Sequence, residues 1–473
     1  MKSKQHGVSL MGLIMLVISA SIGAGIYNAS EQLAMVSTPG PALVAWLITG
    51  IGILGLTLSF KSLSETHPEL NGMVEYAQTG FGNFAGFLSG WGYWLSSWVG
   101  SVAFATMMMS AVGYFLPSFR SGNSPIAVLT ASVISWLLTL LVINGIELAA
   151  SINVIITVLK LIPLVAFILL GIVLFKANVF TAHFWANFTS NFQYYQATPK
   201  GIFAQMKGCI ITMMWVFVGI EGATMMTDRA QKRSDASKAT IIGFLALLTI
   251  NVVISMLPYG YLTQAQLAHV SNPALTYVVQ DMIGPVGGAL VSISLIITIT
   301  GAWLSWTMLP VEATTQMAEK GLLPRWFGHL NRRQSPSHSL WMTQILLQLF
   351  LISLLFSSQA YNFAISLCTA AIVVCYSLVA AYQIKVGWHR HSFGLILPGI
   401  LALAFELVGI SFAGLQYVWL CTIAYVLGFV FYIRAAHEQH RRLTRLEIGL
   451  MILITLAAVA AVIAISTGKL ALS

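Results

Sequence analysis

The stretch Ile18-Ser-Ala-Ser-Ile-Gly-Ala-Gly-Ile-Tyr27 lies inside an apolar segment from about residue 8 to residue 36. The segment is long enough to cross a bilayer as a helix. Gly23 and Gly25 at its centre weaken a helix, and non-helical backbone at membrane depth is tolerated only where it is buried in protein or lines a watery cavity. The stretch therefore indicates either a helix broken at a binding site or a packing face of small residues.

A second stretch of the same kind favours the binding site. Trp215-Val-Phe-Val-Gly-Ile-Glu-Gly-Ala-Thr224 lies inside the apolar run 203–226, and its carboxylate, Glu221, sits between two glycines. Glycine-interrupted spans at corresponding positions of two halves of a chain are the best sequence indication of a transporter site.

The composition is that of a polytopic helical membrane protein. Of the 473 residues, 58% are hydrophobic and 8% are charged, whereas soluble domains carry about 25% charged residues. We predict an all-α fold with 12 or 13 transmembrane helices, thirteen if the last segment spans. The predicted spans are 8–35, 40–60, 85–115, 124–143, 150–175, 203–226, 239–262, 282–316, 339–357, 361–384, 394–413, 415–433 and 446–467.

The Lys and Arg residues that give the chain its net charge of +9 lie mainly in the loops on one side of the membrane. With these spans, alternate loops on one side carry 17 of the 23 Lys and Arg residues, the other side carries 5, and Lys160 lies within a span. Cytoplasmic loops are enriched in Lys and Arg. We therefore expect a multi-pass protein of the cytoplasmic membrane with its N-terminus inside, and no nucleic-acid partner.

Other function classes fit the sequence less well. The four cysteines all fall in apolar spans without metal-ligand spacing, so we expect packing roles and no metal site. The ten histidines lie in loops or at span ends, which argues against a membrane haem enzyme. A channel would need a ring of polar residues along a pore, and none is visible. We expect neither a cofactor nor catalysis.

The order of the spans predicts two structural units and a C-terminal addition. Spans one to five (residues 1–175) and six to ten (residues 203–386) each begin with a glycine-broken span. Because five is odd, the second unit must be inverted in the membrane, which gives a 5+5 inverted repeat with broken helices one and six. Residues 393–473 form the C-terminal helices. The loop 262–281 is expected to form short helices over the outer mouth.

Charged residues within spans are functional candidates by default, because their insertion costs about 2.5–3.5 kcal/mol each. The three that stand out are Lys160, Glu221 and Glu406. Glu221 would lie beside the cavity if the second span opens, or it would cap frayed backbone amides. Glu406 lies outside the repeat and is expected to have a structural or interfacial role. Trp215 and Trp306 lie well inside their spans, where their faces would suit a cation.

These residues carry a resemblance to a known family. The chain resembles the amino acid–polyamine–organocation superfamily and its basic amino acid/polyamine antiporters, which implies a LeuT-like fold. The motifs that carry it are Ser21-Ile-Gly-Ala-Gly-Ile-Tyr27, Trp215-Val-Phe-Val-Gly-Ile-Glu-Gly-Ala223, Arg229-Ala-Gln-Lys-Arg-Ser-Asp235 and Gly301-Ala-Trp-Leu-Ser-Trp306. The chain looks most similar to arginine/ornithine antiporters through Pro68-Glu-Leu-Asn-Gly72, Trp91-Gly-Tyr-Trp94 and Ala149-Ala-Ser-Ile-Asn153.

The resemblance implies a substrate site built from both broken helices and three further spans. Its residues would be Ser21, Ala24, Gly25, Tyr93, Ser97, Ser101, Trp215, Val218, Glu221, Trp306 and Cys368. The substrate carboxylate would meet the amides of Ala24 and Gly25, and the ammonium would meet carbonyls near Ser21, Trp215 and Val218.

The remaining site residues would form gates or contact the distal part of the substrate. Tyr93, Trp215 and Trp306 resemble gating aromatics, and Glu221 resembles a proton-sensitive gate. The residues expected at the distal side chain are Ser97, Ser101 and Cys368. Relatives that carry cationic substrates often have Asn at the position of Ser101, which leaves the recognised side chain open.

The resemblance also implies a role for Lys160. It would act as a gating residue, with its ammonium in the position of a bound sodium ion. Sodium-independent relatives often place a lysine in the middle of span five, where sodium-coupled members hold the ion. Its ammonium has three donors and no acceptor. We expect it to bind opened carbonyls near Ser19 and Ala20.

The function implied is secondary antiport of an amino acid. Arginine exchanged for ornithine is the first expectation, and histidine exchanged for histamine is the alternative within the same class. A membrane amino acid sensor with a transporter fold is the alternative from another class. The expected partners are small amino acids or amines and the lipid bilayer, and a homodimer is left open.

Overall fold

The computed structural model describes residues 8–23, 25–227, 230–356 and 360–467, and it is almost entirely helical. The helices of the described part are, in chain order, α1 (Leu10–Ser21), α2 (Gly25–Val36), α3 (Pro39–Thr66), α4 (Gly72–Phe81), α5 (Asn83–Val112), α6 (Pro125–Ile143), α7 (Ile146–Leu174), α8 (Ala177–Thr181), α9 (Pro199–Trp215), α10 (Gly222–Met225), α11 (Arg233–Met256), α12 (Gln264–Ala268), α13 (Ala274–Ile283), α14 (Pro285–Glu319), α15 (Ser337–Ser353), α16 (Ala360–His389), α17 (Phe393–Ala413), α18 (Leu415–Glu438) and α19 (Arg445–Ser466). The described part also contains a hairpin of β1 (Asn187–Phe188) and β2 (Tyr194–Tyr195) and 3₁₀ turns at Pro117–Phe119, Leu257–Gly260, Arg325–Gly328 and Leu354–Phe356.

The helix count agrees with the prediction of 12 or 13 spans. Eleven described helices are long and apolar enough to cross a membrane, and the bent pair α1 and α2 makes a twelfth span. The segment predicted at 203–226 is interrupted, because α9 has 17 residues and α10 follows only at Gly222. Both predicted helix breaks are therefore present. The loop predicted at 262–281 contains two short helices, α12 and α13.

The two breaks meet in the interior, and glycines allow the close approach. A Cβ atom on Gly25 would lie 2.8 Å from the ring of Trp215. Gly219 has φ +105°, which L side chains rarely adopt, and a Cβ there would lie 2.9 Å from the carbonyl carbon of Ala20. The sequence therefore breaks both helices where their backbones touch, because only glycine fits the space and the dihedral angle.

One long helix runs through the centre beside these breaks. In α5, 83% of the apolar stretch is buried, against 28% in α7 and 22% in α19. It packs against α4, α14 and α16. A helix buried all round must find its partners in protein rather than lipid, so the residues of α5 are placed to line an internal site.

Candidate functional site

An aromatic cluster lies against the break of the first span. Trp306, on α14, is 5% exposed, and its ring centroid is 5.8 Å from that of Trp215 and 5.0 Å from that of Phe104. Its indole N–H donates to the carbonyl of Ala20 at 3.0 Å. This bond satisfies a carbonyl beside the break, which would be costly to leave unpaired at membrane depth.

Phe104 is a member of this cluster that the sequence analysis missed. It lies on α5, and a Cβ on Gly23 would be 2.6 Å from its ring. No motif marked it, since an apolar aromatic in a long span usually packs against lipid or neighbouring helices. Phe104 contacts the glycine-rich break, so the cluster, called the aromatic wall below, has three rings: Phe104, Trp215 and Trp306.

The central helix α5 lies against Cys368, one of the residues expected at the distal side chain. A Cβ on Gly100 would lie 2.1 Å from the ring of Trp306 and 3.1 Å from the sulfur of Cys368. The thiol of Cys368 is also 3.1 Å from the hydroxyl oxygen of Ser96, a residue that the sequence did not single out. The structure thus places Cys368 beside Trp306, on the face of α5 that carries Gly100.

The two expected serines of α5 make hydrogen bonds within their own helix. The hydroxyl of Ser97 donates to the carbonyl of Tyr93 at 2.8 Å, and that of Ser101 donates to the carbonyl of Ser97 at 3.0 Å. Both side chains are buried. A hydroxyl that donates in this way keeps its acceptor lone pairs, which suits an N–H donor on a ligand.

Glu221 is held at the second break by groups from three parts of the chain. One of its carboxylate oxygens accepts from the Tyr376 hydroxyl and from the amide of Gly219, the latter at 3.2 Å. Tyr93 also interacts with this carboxylate. The interpretation of Glu221 as a cap for frayed amides accounts for its bonds from the amides of Gly219 and of Glu221 itself, but not for those from Tyr376 and Tyr93. Glu406 is buried on α17 and interacts electrostatically with Tyr376.

Lys160 is fully buried on α7 and binds the first break. Its ammonium donates to the carbonyl of Ser19 at 3.0 Å, to the hydroxyl of Ser19 at 3.3 Å and to the carbonyl of Ile22 at 2.8 Å. The prediction of Ser19 is confirmed, but that of Ala20 is wrong. The carbonyl of Ala20 accepts from the indole of Trp306, and the lysine binds the carbonyl of Ile22 instead.

A series of side-chain hydrogen bonds continues from the Ser19 hydroxyl, which binds this lysine, to α7 and α14. The Ser19 hydroxyl donates to Oδ1 of Asn153 at 2.9 Å, and Nδ2 of Asn153 donates to the Ser305 hydroxyl at 3.1 Å. The helices α1, α7 and α14 are therefore joined by side-chain hydrogen bonds in the membrane interior. Asn153 and Ser305 were not predicted, since their partners are more than 130 residues away in sequence.

The remaining expected residues lie along the two breaks. The Ser21 hydroxyl is buried and has no hydrogen-bond partner among the described residues. The carbonyl of Trp215 accepts from the amide of Val218 at 3.3 Å. Gly25 begins α2 against Trp215. Ala24, the other expected amide donor, lies outside the described residues.

Comparison with known proteins identifies the family of the chain. The chain is 50% identical to an arginine/ornithine antiporter of Latilactobacillus sakei over 98% of both chains. It is 48% identical to one of Lactococcus lactis subsp. cremoris, over 98% of this chain and 97% of the relative. It is also 35% identical to an arginine/agmatine antiporter of Chlamydia pneumoniae, over 99% of this chain and 98% of the relative. Residues 8–457 match the amino acid permease model, and the chain belongs to that family of transporters.

Proposed function

We propose that this protein exchanges arginine for ornithine across the cytoplasmic membrane by alternating access. The observation that carries the proposal is the similarity, over nearly the whole chain, to antiporters named for this pair of substrates. The site supports it physically, because two adjoining helix breaks offer backbone groups of both polarities and three aromatic rings lie beside them.

The site suggests how one substrate would be held. The N-terminus of α2 begins at Gly25 and favours an anion, so it suits the substrate carboxylate. The carbonyls near Ser21, Trp215 and Val218 suit the α-ammonium. The faces of Trp215 and Trp306 suit the cationic end, at about 0.5–2 kcal/mol per contact.

The chemistry of the two substrates fits exchange without a coupling ion. Arginine and ornithine both carry a carboxylate, an α-ammonium and a side-chain cation, so each has net charge +1 near neutral pH. One-for-one exchange moves no net charge across the membrane. Lys160 places a fixed ammonium where a coupling cation would otherwise bind the first break, so we propose that sodium is not required.

The alternatives weighed on the sequence have less support. The relatives compared are antiporters of arginine, which favours neither a histidine/histamine exchanger nor a sensor. We propose transport, not catalysis, as the activity. A sensor would bind arginine and give no counterflow.

We also propose the membrane arrangement that the charge pattern predicts. The N-terminus would lie in the cytoplasm. Residues 1–175 and 203–386 would form two inverted units, and 393–473 the C-terminal helices. Support comes from the breaks at Ile22–Gly23 and at Val216–Glu221, each of which lies in the first span of its unit.

Counterflow in liposomes tests the function. Purified protein is reconstituted in liposomes preloaded with ornithine, and uptake of labelled arginine is followed in sodium-free choline buffer. We expect rapid uptake with internal ornithine or arginine and little uptake into liposomes loaded with buffer alone. Equal uptake without an internal substrate, or uptake of labelled histidine against histamine but not of arginine against ornithine, would overturn the proposal.

A further inference from the structure

A cavity of about 620 Å³ lies between the end of α3 and the start of α11, beside Thr227, which follows α10. With the proposed orientation it lies on the cytoplasmic face. Its lining is mainly polar, and the lining residues that matter for the argument are Lys61, Ser64, Glu65, Ser237, Lys238 and Ile242.

Two lysines bring positive charge to this cavity, one from each helix. Lys61 is only loosely paired, because its ammonium lies 3.9 Å from the carboxylate of Glu65 and its side chain is 41% exposed. Lys238 is exposed and makes no hydrogen bond or ion pair with the described residues. Glu65 is the only acidic residue among the described residues of the lining. Two lysines against one glutamate leave an excess of positive charge, which favours an anionic occupant.

The helices α3 and α11 lie side by side from this cavity towards the other face of the membrane. At the cavity, the Ser237 hydroxyl donates to the Ser64 hydroxyl at 3.3 Å. Further along, the indole N–H of Trp46 donates to the Ser255 hydroxyl at 3.0 Å. The two contacts are 18 positions apart on each helix (46 to 64 and 237 to 255), which is about 27 Å at 1.5 Å per residue. The antiparallel pair therefore spans most of the bilayer core, which is about 30 Å thick.

Each helix of this pair exposes an apolar stripe that leads to its lysine. The exposed residues are Leu47, Ile51 and Leu54 on α3 and Ile242 and Leu245 on α11. They recur at intervals of three or four positions, which is one face of a helix. Lys61 continues the stripe of α3, two turns after Leu54, and Lys238 continues that of α11, one turn before Ile242. From Leu47 to Lys61 the stripe is about 21 Å long, which exceeds the roughly 15 Å depth of one leaflet.

The geometry points to a binding site for one anionic phospholipid on this pair of helices. The ammonium groups of Lys61 and Lys238 donate to the headgroup phosphate in the cavity, and an acyl chain lies along the exposed stripes. A soluble anion would use the cavity alone. A helix of another chain would use the stripes alone and leave Lys238 without an anion. A phospholipid matches both parts, the charged cavity and the apolar stripes that adjoin it.

Native mass spectrometry tests this site without transport. Detergent-purified full-length protein is titrated with phosphatidylglycerol, whose headgroup carries a net negative charge, or with phosphatidylcholine of the same acyl chains, whose headgroup has no net charge. We expect the first phosphatidylglycerol to bind at least about tenfold more tightly, since each ammonium near an anionic headgroup contributes a factor of roughly five. Equal affinity for the two lipids would overturn the proposal.

Inorganic phosphate separates a lipid site from a site for a soluble anion. It supplies the charge without an acyl chain, so at the same concentration as phosphatidylglycerol it should leave the lipid bound. Displacement of the lipid by phosphate would overturn the proposal in favour of a soluble anion. The same spectra count the chains in each complex. A dimer that forms in the wild type and is lost in a variant without Lys61 and Lys238 would assign the surface to a second copy of the chain instead.

A matched pair of double variants locates the bound lipid. Lys61→Gln combined with Lys238→Gln removes both ammonium groups, and we expect the affinity for the first phosphatidylglycerol to fall at least about tenfold. The control is Arg442→Gln combined with Arg445→Gln, which removes two exposed cations between α18 and α19, outside the cavity lining. The control should leave the affinity unchanged. Equal weakening in the two double variants would mean attraction to net charge alone and would overturn the site.

Glu65→Gln tests the same site by a gain of binding. The side chain is 59% exposed, so its replacement disturbs little packing, and it removes the carboxylate that pairs with Lys61. We expect phosphatidylglycerol to bind up to about fivefold more tightly and phosphatidylcholine to bind as before. Phosphatidylglycerol binding that is no tighter than in the wild type would contradict a headgroup at this cavity. Because exchange is not measured, the outcome is independent of whether arginine/ornithine antiport is confirmed.

Discussion

The two helix breaks differ in the side chain that stabilises them. At the first break the opened groups are carbonyls, and Lys160 and Trp306 donate to them. At the second break the opened group is the amide of Gly219, and Glu221 accepts from it. Each break is therefore stabilised by a side chain of complementary hydrogen-bonding polarity, because unpaired backbone groups are costly at membrane depth.

The two breaks also differ in whether their hydrogen bonds can change with protonation. Lys160 makes three bonds to a single break, which ties α7 to α1. Glu221 shares its oxygen between the backbone and the hydroxyl of Tyr376, and a carboxylate that takes a proton becomes a donor. We infer that the first break is held in one geometry and that the second responds to protonation.

The substitution with the largest expected effect is Lys160→Met, which removes the three hydrogen bonds that the lysine donates to the first break. The carbonyls of Ser19 and Ile22 lose this donor, while the Ser19 hydroxyl keeps its bond to Asn153. A buried unpaired group costs about 1–3 kcal/mol. We expect arginine/ornithine exchange to fall by at least about 100-fold in sodium-free liposomes. Full activity of the variant, or strict sodium dependence of the wild type, would refute the role of Lys160.

Gly219→Ala is expected to have the next largest effect, because it pushes the two breaks apart. The added Cβ would meet the backbone of Ala20 at 2.9 Å, and its φ of +105° is strained for alanine. We expect a loss of about 1–3 kcal/mol in stability and strongly reduced exchange, measured as thermal unfolding and arginine counterflow. Gly82→Ala is the matched control, since Gly82 also has positive φ but has no neighbour within 4 Å. Equal losses in the two variants would mean that the contact between the breaks is unimportant.

Trp306→Ala tests the aromatic wall beside the first break. Loss of a cation–π contact worth about 0.5–2 kcal/mol predicts an apparent KM for arginine raised by up to about 30-fold. Trp306→Phe keeps an aromatic face but not the bond to the carbonyl of Ala20, so it separates substrate contact from support of the backbone. An unchanged KM in a well-folded alanine variant would remove Trp306 from the substrate site.

Glu221→Gln is expected to have the smallest effect at a single pH and to change the pH profile. Glutamine still accepts from Tyr376 and from the amide of Gly219, but it cannot gain or lose a proton. We expect exchange by the variant, measured from about pH 5 to 8, to vary less with pH than exchange by the wild type. Identical profiles would contradict the adjustable role of the second break.

Local features of the sequence carried most of the fold prediction. The length and apolarity of the segments predicted the spans, and Gly23, Gly25, Gly219 and Gly222 predicted both breaks. These features are local, since the cost of glycine in a helix and of charge in a bilayer depends little on distant residues. The same local cost marked Lys160 and Glu221 as functional candidates before any contact was known.

Apart from the bond of Lys160 to Ser19, which the resemblance implied, only the tertiary structure decided which groups these residues bind. Lys160 was expected near Ser19 and Ala20; it binds Ser19 and Ile22, and the carbonyl of Ala20 accepts from the indole of Trp306. Phe104 joined the site without a sequence signal, and Asn153, although it ends one of the motifs that carry the resemblance, had been given no role in the site.

The sequence by itself therefore determined where the helices break. The packing of α5, α7 and α14 around the breaks determined which side chains hydrogen-bond to the opened backbone groups. The physical reason is the range of the interactions involved. Helix breaking and membrane insertion are set within about twenty residues of chain. Hydrogen bonds such as those of Lys160 to Ile22 and of Trp306 to Ala20 join residues 138 and 286 positions apart, and only the folded chain brings them together.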